Sequence, residues 1–160
     1  MKVKYKGIIF DLDGTLADTL LDIGAATNRA LAARGFGEHA PESYVSRVGW
    51  GIKQVAFLSL PQDARNEENA ALVAEDSVRF YAESPLAHTR PYPGILELLG
   101  ELRRRKVKMV VLTNKPDPIA QMVVAGLFPN GTFESVRGEV FGKPRKPILP
   151  VCGKCSSTWN

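Results

Sequence analysis

Residues 7 to 12, GIIFDL, place three apolar residues in succession, Ile8, Ile9 and Phe10, and then end at once on a carboxylate. A strand with water on one face alternates apolar with polar side chains, whereas an unbroken apolar run fits a strand covered on both faces, as in a parallel sheet between helices. A second such run, KVKMVVLTN at 106–114, also ends in polar residues. Between residues 20 and 105 no strand signal appears. The order of strand, long helical insert, helix, strand and helix implies an α/β protein whose open parallel sheet is interrupted after its first strand.

The helices are read from spacing. Leu20, Leu21, Ile23, Ala26, Ala30 and Leu31 keep near-helical intervals from Asp18 to Arg34, with Gly35 placed to stop the helix. Shorter helices are expected at Pro41–Val48 and Ile52–Leu60 around Gly49, Trp50 and Gly51, and a longer one from Asn66 to Glu83 with Ala71, Ala74, Val78 and Tyr81 on one face. SPLAHTRPYPG is a proline-rich return linker. Ile95, Leu98, Leu99 and Leu102 mark a further helix, PIAQMVVAGLF another, and FESVRGEVFG a weak third strand or loop.

A chain of 160 residues, 44% hydrophobic and 24% charged, holds one domain or a core with an insertion. Its apolar runs are too short to span a bilayer, and no cleavage site follows the N-terminal lysines, so a cytoplasmic location without membrane contact is expected. The net charge of +4 arises between residues 137 and 160, where Arg137, Lys143, Arg145, Lys146 and Lys154 face Glu139 alone. No aromatics interleave these cations, so a solvated basic face or a phosphate-bearing small substrate is favoured over nucleic acid. Cys152 and Cys155 make one C-x-x-C, half a zinc site without a second pair.

In open α/β sheets ligands bind beyond the carboxyl ends of the strands, where Asp11–Thr15 and Thr113–Lys115 both fall. Asp11 and Asp13, at i and i+2, point the same way if strand geometry persists, and Gly14 permits a turn that brings backbone close to a ligand. A carboxylate attacking phosphorus needs a cation to offset charge repulsion and an acid to protonate the leaving oxygen. Thr113 offers a hydroxyl, Asn114 an amide, and Lys146 or Lys143 a positive charge for the phosphoryl oxygens.

DLDGTLADT, VLTNKP and KPRKP resemble motifs one, two and three of the haloacid dehalogenase superfamily, in its phosphoglycolate phosphatase-like branch. The resemblance implies a Rossmann-like core at residues 1–16 and 89–147, with residues 17–88 as an all-helical cap and 148–160 as an atypical tail. It implies a Mg²⁺-dependent phosphomonoester hydrolase acting on a small phosphorylated substrate through an aspartyl-phosphate. Asp11 would be the nucleophile, Asp13 the general acid/base, and Thr113 and Lys146 the phosphate-holding pair, with Asp11 and Asp13 toward the metal. Gly14, Thr15 and Asn114 would line the phosphate pocket, and Gly51 and Lys53, in a segment similar to the cap's substrate-facing loop, would contact substrate.

After Lys146 the tail PILPVCGKCSSTWN has no carboxylate where the family carries an acidic fourth motif. The C-terminal part of the core is therefore expected to be missing, by truncation or by a frameshift after Pro147, since a one-base shift there can restore a K-P-D-P run. GIIFD would then be an exposed apolar edge open to self-association. Two other readings stay open: a catalytically inactive phosphate-binding or interaction protein of the same fold, and hydrolytic dehalogenation, which Asp13 disfavours.

Overall fold

The computed structural model describes residues 5–140 and 142–146. Expectations placed on residues 147–160, including Cys152 and Cys155, lie outside them. The chain divides into two compact units, one running up to Asp18 and again from Arg90, the other Thr19–Thr89.

In the first unit the strands are β1 (Gly7–Phe10), β2 (Ala17–Asp18), β3 (Arg90–Pro91), β4 (Lys108–Pro116) and β5 (Ser135–Glu139), with helices α4 (Ile95–Arg104) and α5 (Asp117–Leu127). The main sheet has the order β1-β4-β5, all parallel, with Phe10 opposite Val111 and Val111 opposite Val136. β4 therefore has a partner on each side, and Met109, Val110, Val111 and Leu112 are all buried, as the unbroken apolar run requires. Ile119, Ala120, Val123 and Val124 of α5 are buried in the same unit. Phe133 meets Phe10 and Phe128 edge-on at ring-centroid distances of 6.4 and 5.5 Å, a favourable geometry for aromatic pairs.

The α/β Rossmann-like core with a helical insert is what the sequence implies, but the expectation that its C-terminal part is missing is corrected. SVRGE, a weak strand by sequence, is a parallel partner of β4, so the sheet is continuous through its described strands. Its weak pattern has a cause in Gly138, which has no side chain to signal a strand. A Cβ there would sit 2.4 Å from the Asp117 Cα and 2.6 Å from the Lys115 carbonyl oxygen, both backbone atoms that cannot step aside. The Gly138 N–H also donates to Asp117 Oδ1 at 2.7 Å. Gly138→Ala is expected to cost about 2 kcal/mol through this overpacking. Urea denaturation reads it, and an unchanged midpoint would show that β5 can move away.

Two short elements escaped the sequence reading. β2 and β3 pair antiparallel over two residues each, Ala17 with Pro91 and Asp18 with Arg90, just before the insert begins and just after it ends. Two-residue strands carry no periodicity to detect.

The second unit contains α1 (Leu20–Ala32), α2 (Ile52–Ser59) and α3 (Glu67–Glu83). Ala30, Leu31, Ala56, Leu60, Ala70, Val73 and Ala74 form its core, with Phe36, Ile52, Phe57 and Phe80 packed against them. The helix expected at Pro41–Val48 is a 3₁₀ turn over Pro41–Ser46, with the Ser43 hydroxyl donating to the Ala40 carbonyl at 2.6 Å. Serine bonding to nearby backbone in this way competes with regular α-helix. Asn66 caps α3, its Oδ1 accepting the Asn69 N–H at 2.8 Å. Among the described residues no helix is long and apolar enough to cross a membrane.

Candidate active site

The polar ends of β1 and β4 carry the residues of interest, and parallel pairing places those ends side by side. Past Phe10 the chain makes a tight loop in which the N–H groups of Thr15, Leu16 and Ala17 converge on the Leu12 carbonyl at 3.0 to 3.2 Å. Gly14 takes a φ of +73°, a conformation glycine adopts without strain. Gly14 and Thr15 are exposed at this turn while Leu12 and Leu16 anchor it in the core. The carboxylates of Asp11 and Asp13 are thereby held on a buried scaffold.

Each carboxylate meets a different lysine. Lys146 Nζ lies 2.5 Å from Asp11 Oδ2, and the Leu12 N–H donates to Asp11 Oδ1 at 2.7 Å. Lys115 Nζ donates to Asp13 Oδ1 at 2.9 Å. The two pairs differ in setting: the Asp11 side chain is 38% exposed and Lys146 20%, against 10% for Asp13 and 2% for Lys115.

Asn114 binds the Lys146 backbone twice, its Nδ2 donating to the carbonyl at 3.2 Å and its Oδ1 accepting the N–H at 3.1 Å. One side-chain amide thus fixes the position of the residue whose ammonium meets Asp11. Thr113 is buried at the end of β4, with Oγ1 accepting the Lys115 N–H at 3.1 Å. Of the two candidate lysines, Lys146 is the one that meets Asp11, while Lys143 is exposed in the preceding turn, its N–H donating to the Val140 carbonyl.

Near this cluster, Glu139 ends β5, with Arg145 Nε 3.7 Å from its carboxylate. Burial pushes the Glu139 carboxyl above its ordinary range, and Arg145 offsets this only in part. Burial likewise raises the Tyr92 phenol, helped by the negative charges of Asp18 and Asp13.

Gly51 and Lys53 belong to the other unit. Gly51 precedes α2 and is buried, and Lys53 Nζ pairs with Glu67 at 2.5 Å. Sequence reasoning passed over Lys115, although the signal was present: in a strand Thr113 and Lys115, two apart, share a face.

A parallel sheet interrupted by a helical module, with paired aspartates ending its first strand and Thr-Asn-Lys ending β4, is an architecture of the haloacid dehalogenase-like hydrolases. The family matches residues 8–152, and the chain belongs to it. It is 31% identical to the phosphoglycolate phosphatase of Aquifex aeolicus over 145 residues, covering 90% of this chain and 66% of that one. With the phosphoglycolate phosphatase of Chromobacterium violaceum it shares 32% over 161 residues, 97% of this chain and 72% of the other. A solved structure from Lactobacillus delbrueckii subsp. bulgaricus, named for the same group, superposes with a TM-score of 0.85 at 30% identity, over 98% of this chain and 74% of that chain.

The chain thus spans about two thirds of the length of the curated relatives it matches. The reading that it departs from the family by truncation or frameshift after Pro147 is corrected. The family match continues to residue 152, and the solved relative covers 98% of the chain. Strong homology to phosphatases of this family makes the protein an enzyme of the hydrolase class.

Proposed function

We propose that the chain hydrolyses a small phosphomonoester through an aspartyl-phosphate, with 2-phosphoglycolate as the substrate. The observation that carries this reading is that each aspartate after β1 meets its own lysine, Asp13 meeting Lys115 at the end of the adjacent parallel strand β4 and Asp11 meeting Lys146. The substrate itself rests on the names of the relatives, phosphoglycolate phosphatases sharing about a third of its residues.

In this reading an oxygen of Asp11 attacks phosphorus while the bond from phosphorus to the leaving oxygen breaks. Asp13 gives that oxygen a proton, then takes one from the water that attacks the phosphorylated Asp11, releasing phosphate and the free carboxylate. Lys146 and the Thr113 hydroxyl offset charge on the phosphoryl oxygens, and Asn114 holds Lys146 in place. Gly14 and Thr15 bring backbone up to the phosphate. Gly51 and Lys53 are proposed substrate contacts of the insert.

Magnesium fits the donor chemistry. Asp11 offers a carboxylate and Asp13 its backbone carbonyl, both hard oxygen donors, and this ion characteristically takes one or two carboxylates together with substrate phosphate and water. Among the described residues no group of three or more His, Cys, Asp or Glu side chains could hold a metal. When bound, magnesium supplies a positive charge that polarises the phosphoryl group.

The test is phosphate release from 2-phosphoglycolate and from an aryl phosphate, with and without Mg²⁺. Metal-dependent turnover, faster on 2-phosphoglycolate, is expected. Turnover of the aryl phosphate alone would overturn the substrate. Phosphate binding without turnover of either would favour a catalytically inactive phosphate-binding protein.

A further inference from the structure

Lys115 has no task in the mechanism above, yet it is the most buried cation of the site, with a side chain 2% exposed. Burying an ammonium is costly unless it is paired, and even a well-paired buried ion couple contributes little net stability beside an apolar pair of the same size. Stability is thus a poor reason for a lysine here, and what the contact does supply is position. The backbone of Lys115 is itself fixed, its N–H donating to Thr113 Oγ1 at 3.1 Å and its carbonyl lying against Gly138, whose missing Cβ leaves the room. From this anchored point the side chain reaches across to the loop after β1, where Nζ holds Asp13 Oδ1 at 2.9 Å.

Resting on the proposed phosphatase reading, we propose that Lys115 is a positioning residue for Asp13. It holds Oδ1, so that Oδ2 is the oxygen that delivers the proton to the leaving group and later takes one from water. A carboxylate exchanges its two oxygens by rotating about one bond, and an ammonium fixed on Oδ1 stops that rotation. The proton then travels on one oxygen, aimed from one place.

The consequence depends on the leaving group. An alkoxide such as that of 2-phosphoglycolate departs poorly without a proton, whereas a nitrophenolate departs without help. Lys115→Met, which keeps the stem and removes the charge, is expected to lower kcat on 2-phosphoglycolate about tenfold or more beyond its loss on p-nitrophenyl phosphate, with KM little changed. Lys115→Arg, which keeps a donor to Asp13, should restore the ratio of the two rates. Equal losses on both substrates would overturn the proposal, since a merely structural role slows both alike. If the Met variant does not fold, Lys115→Gln is read in the same way.

A second measurement needs no turnover. Crystal structures of the wild-type chain and of the variant are expected to show the Asp13 carboxylate rotated once Lys115 is lost. An unmoved carboxylate would also overturn the proposal. Failure of the wild-type chain to hydrolyse either substrate would sink the phosphatase reading instead, and the structures would still decide the role of Lys115.

Discussion

Asp11→Asn is expected to lower phosphate release by at least about a thousandfold and to leave the fold intact, as removal of a nucleophile does in enzymes with covalent intermediates. An amide is nearly the same shape as a carboxylate but cannot attack phosphorus to give a stable acyl phosphate. The fold should tolerate the change because Asp11 is over a third exposed, so that its partner Lys146 can turn to water. Loss of such a partly exposed pair costs at most about 1 kcal/mol. The Leu12 N–H keeps an acceptor, since the Asn oxygen can replace Oδ1. Initial rates at saturating substrate, with thermal melts of both proteins, test the two halves together. Turnover retained in a folded variant would mean that the nucleophile is elsewhere, and turnover lost with the melt would leave Asp11 a structural residue.

Much of this site was readable from one-dimensional features because it sits at strand ends. Unbroken apolar runs fix where β1 and β4 lie, and a parallel sheet then forces whatever follows them to one side, which brings Asp11, Asp13, Thr113 and Asn114 forward without coordinates. The partnerships were not readable, because they depend on how far a long side chain reaches. Lys146 lies on Asp11 because Asn114 grips its backbone from 32 residues away in sequence. Lys115 was masked by its neighbours, since polar residues after a strand look like a turn until the strand is seen to run on to Pro116. The third strand was faint for the opposite reason, a glycine at the point of closest approach.

Asp22 shows the same limit in the helical unit, and its removal should give the largest loss of stability. It lies on the buried line Asp22, Ala26, Ala30 of α1, where apolar residues are expected, and its side chain is only 2% exposed. Its carboxylate accepts the Thr89 N–H at 2.9 Å, the Thr89 hydroxyl at 2.7 Å, the His88 N–H at 3.0 Å and a contact from His88 Nδ1 at 2.9 Å. These bonds tie the beginning of the insert to its end, and a carboxylate in the first turn of a helix also meets the positive end of the helix dipole. Burial alone would raise the Asp22 carboxyl, but the hydrogen bonds from Thr89 and His88 outweigh it and hold the group below its ordinary value of 3.8. Asp22→Ala is expected to cost about 3 kcal/mol or more, because it strands the buried donors of Thr89 and takes the acceptor from the His88 N–H. Asp22→Asn, which keeps one acceptor, should cost about half as much. A carboxyl with a lower pKa folded than unfolded stabilises the fold in full above its ordinary value and loses that contribution as pH falls through the folded one. The gap in urea stability between wild type and Asp22→Ala should therefore be widest near pH 7 and narrow below pH ~4. A gap independent of pH would mean that the packing of Asp22, and not its charge, holds the ends of the insert together.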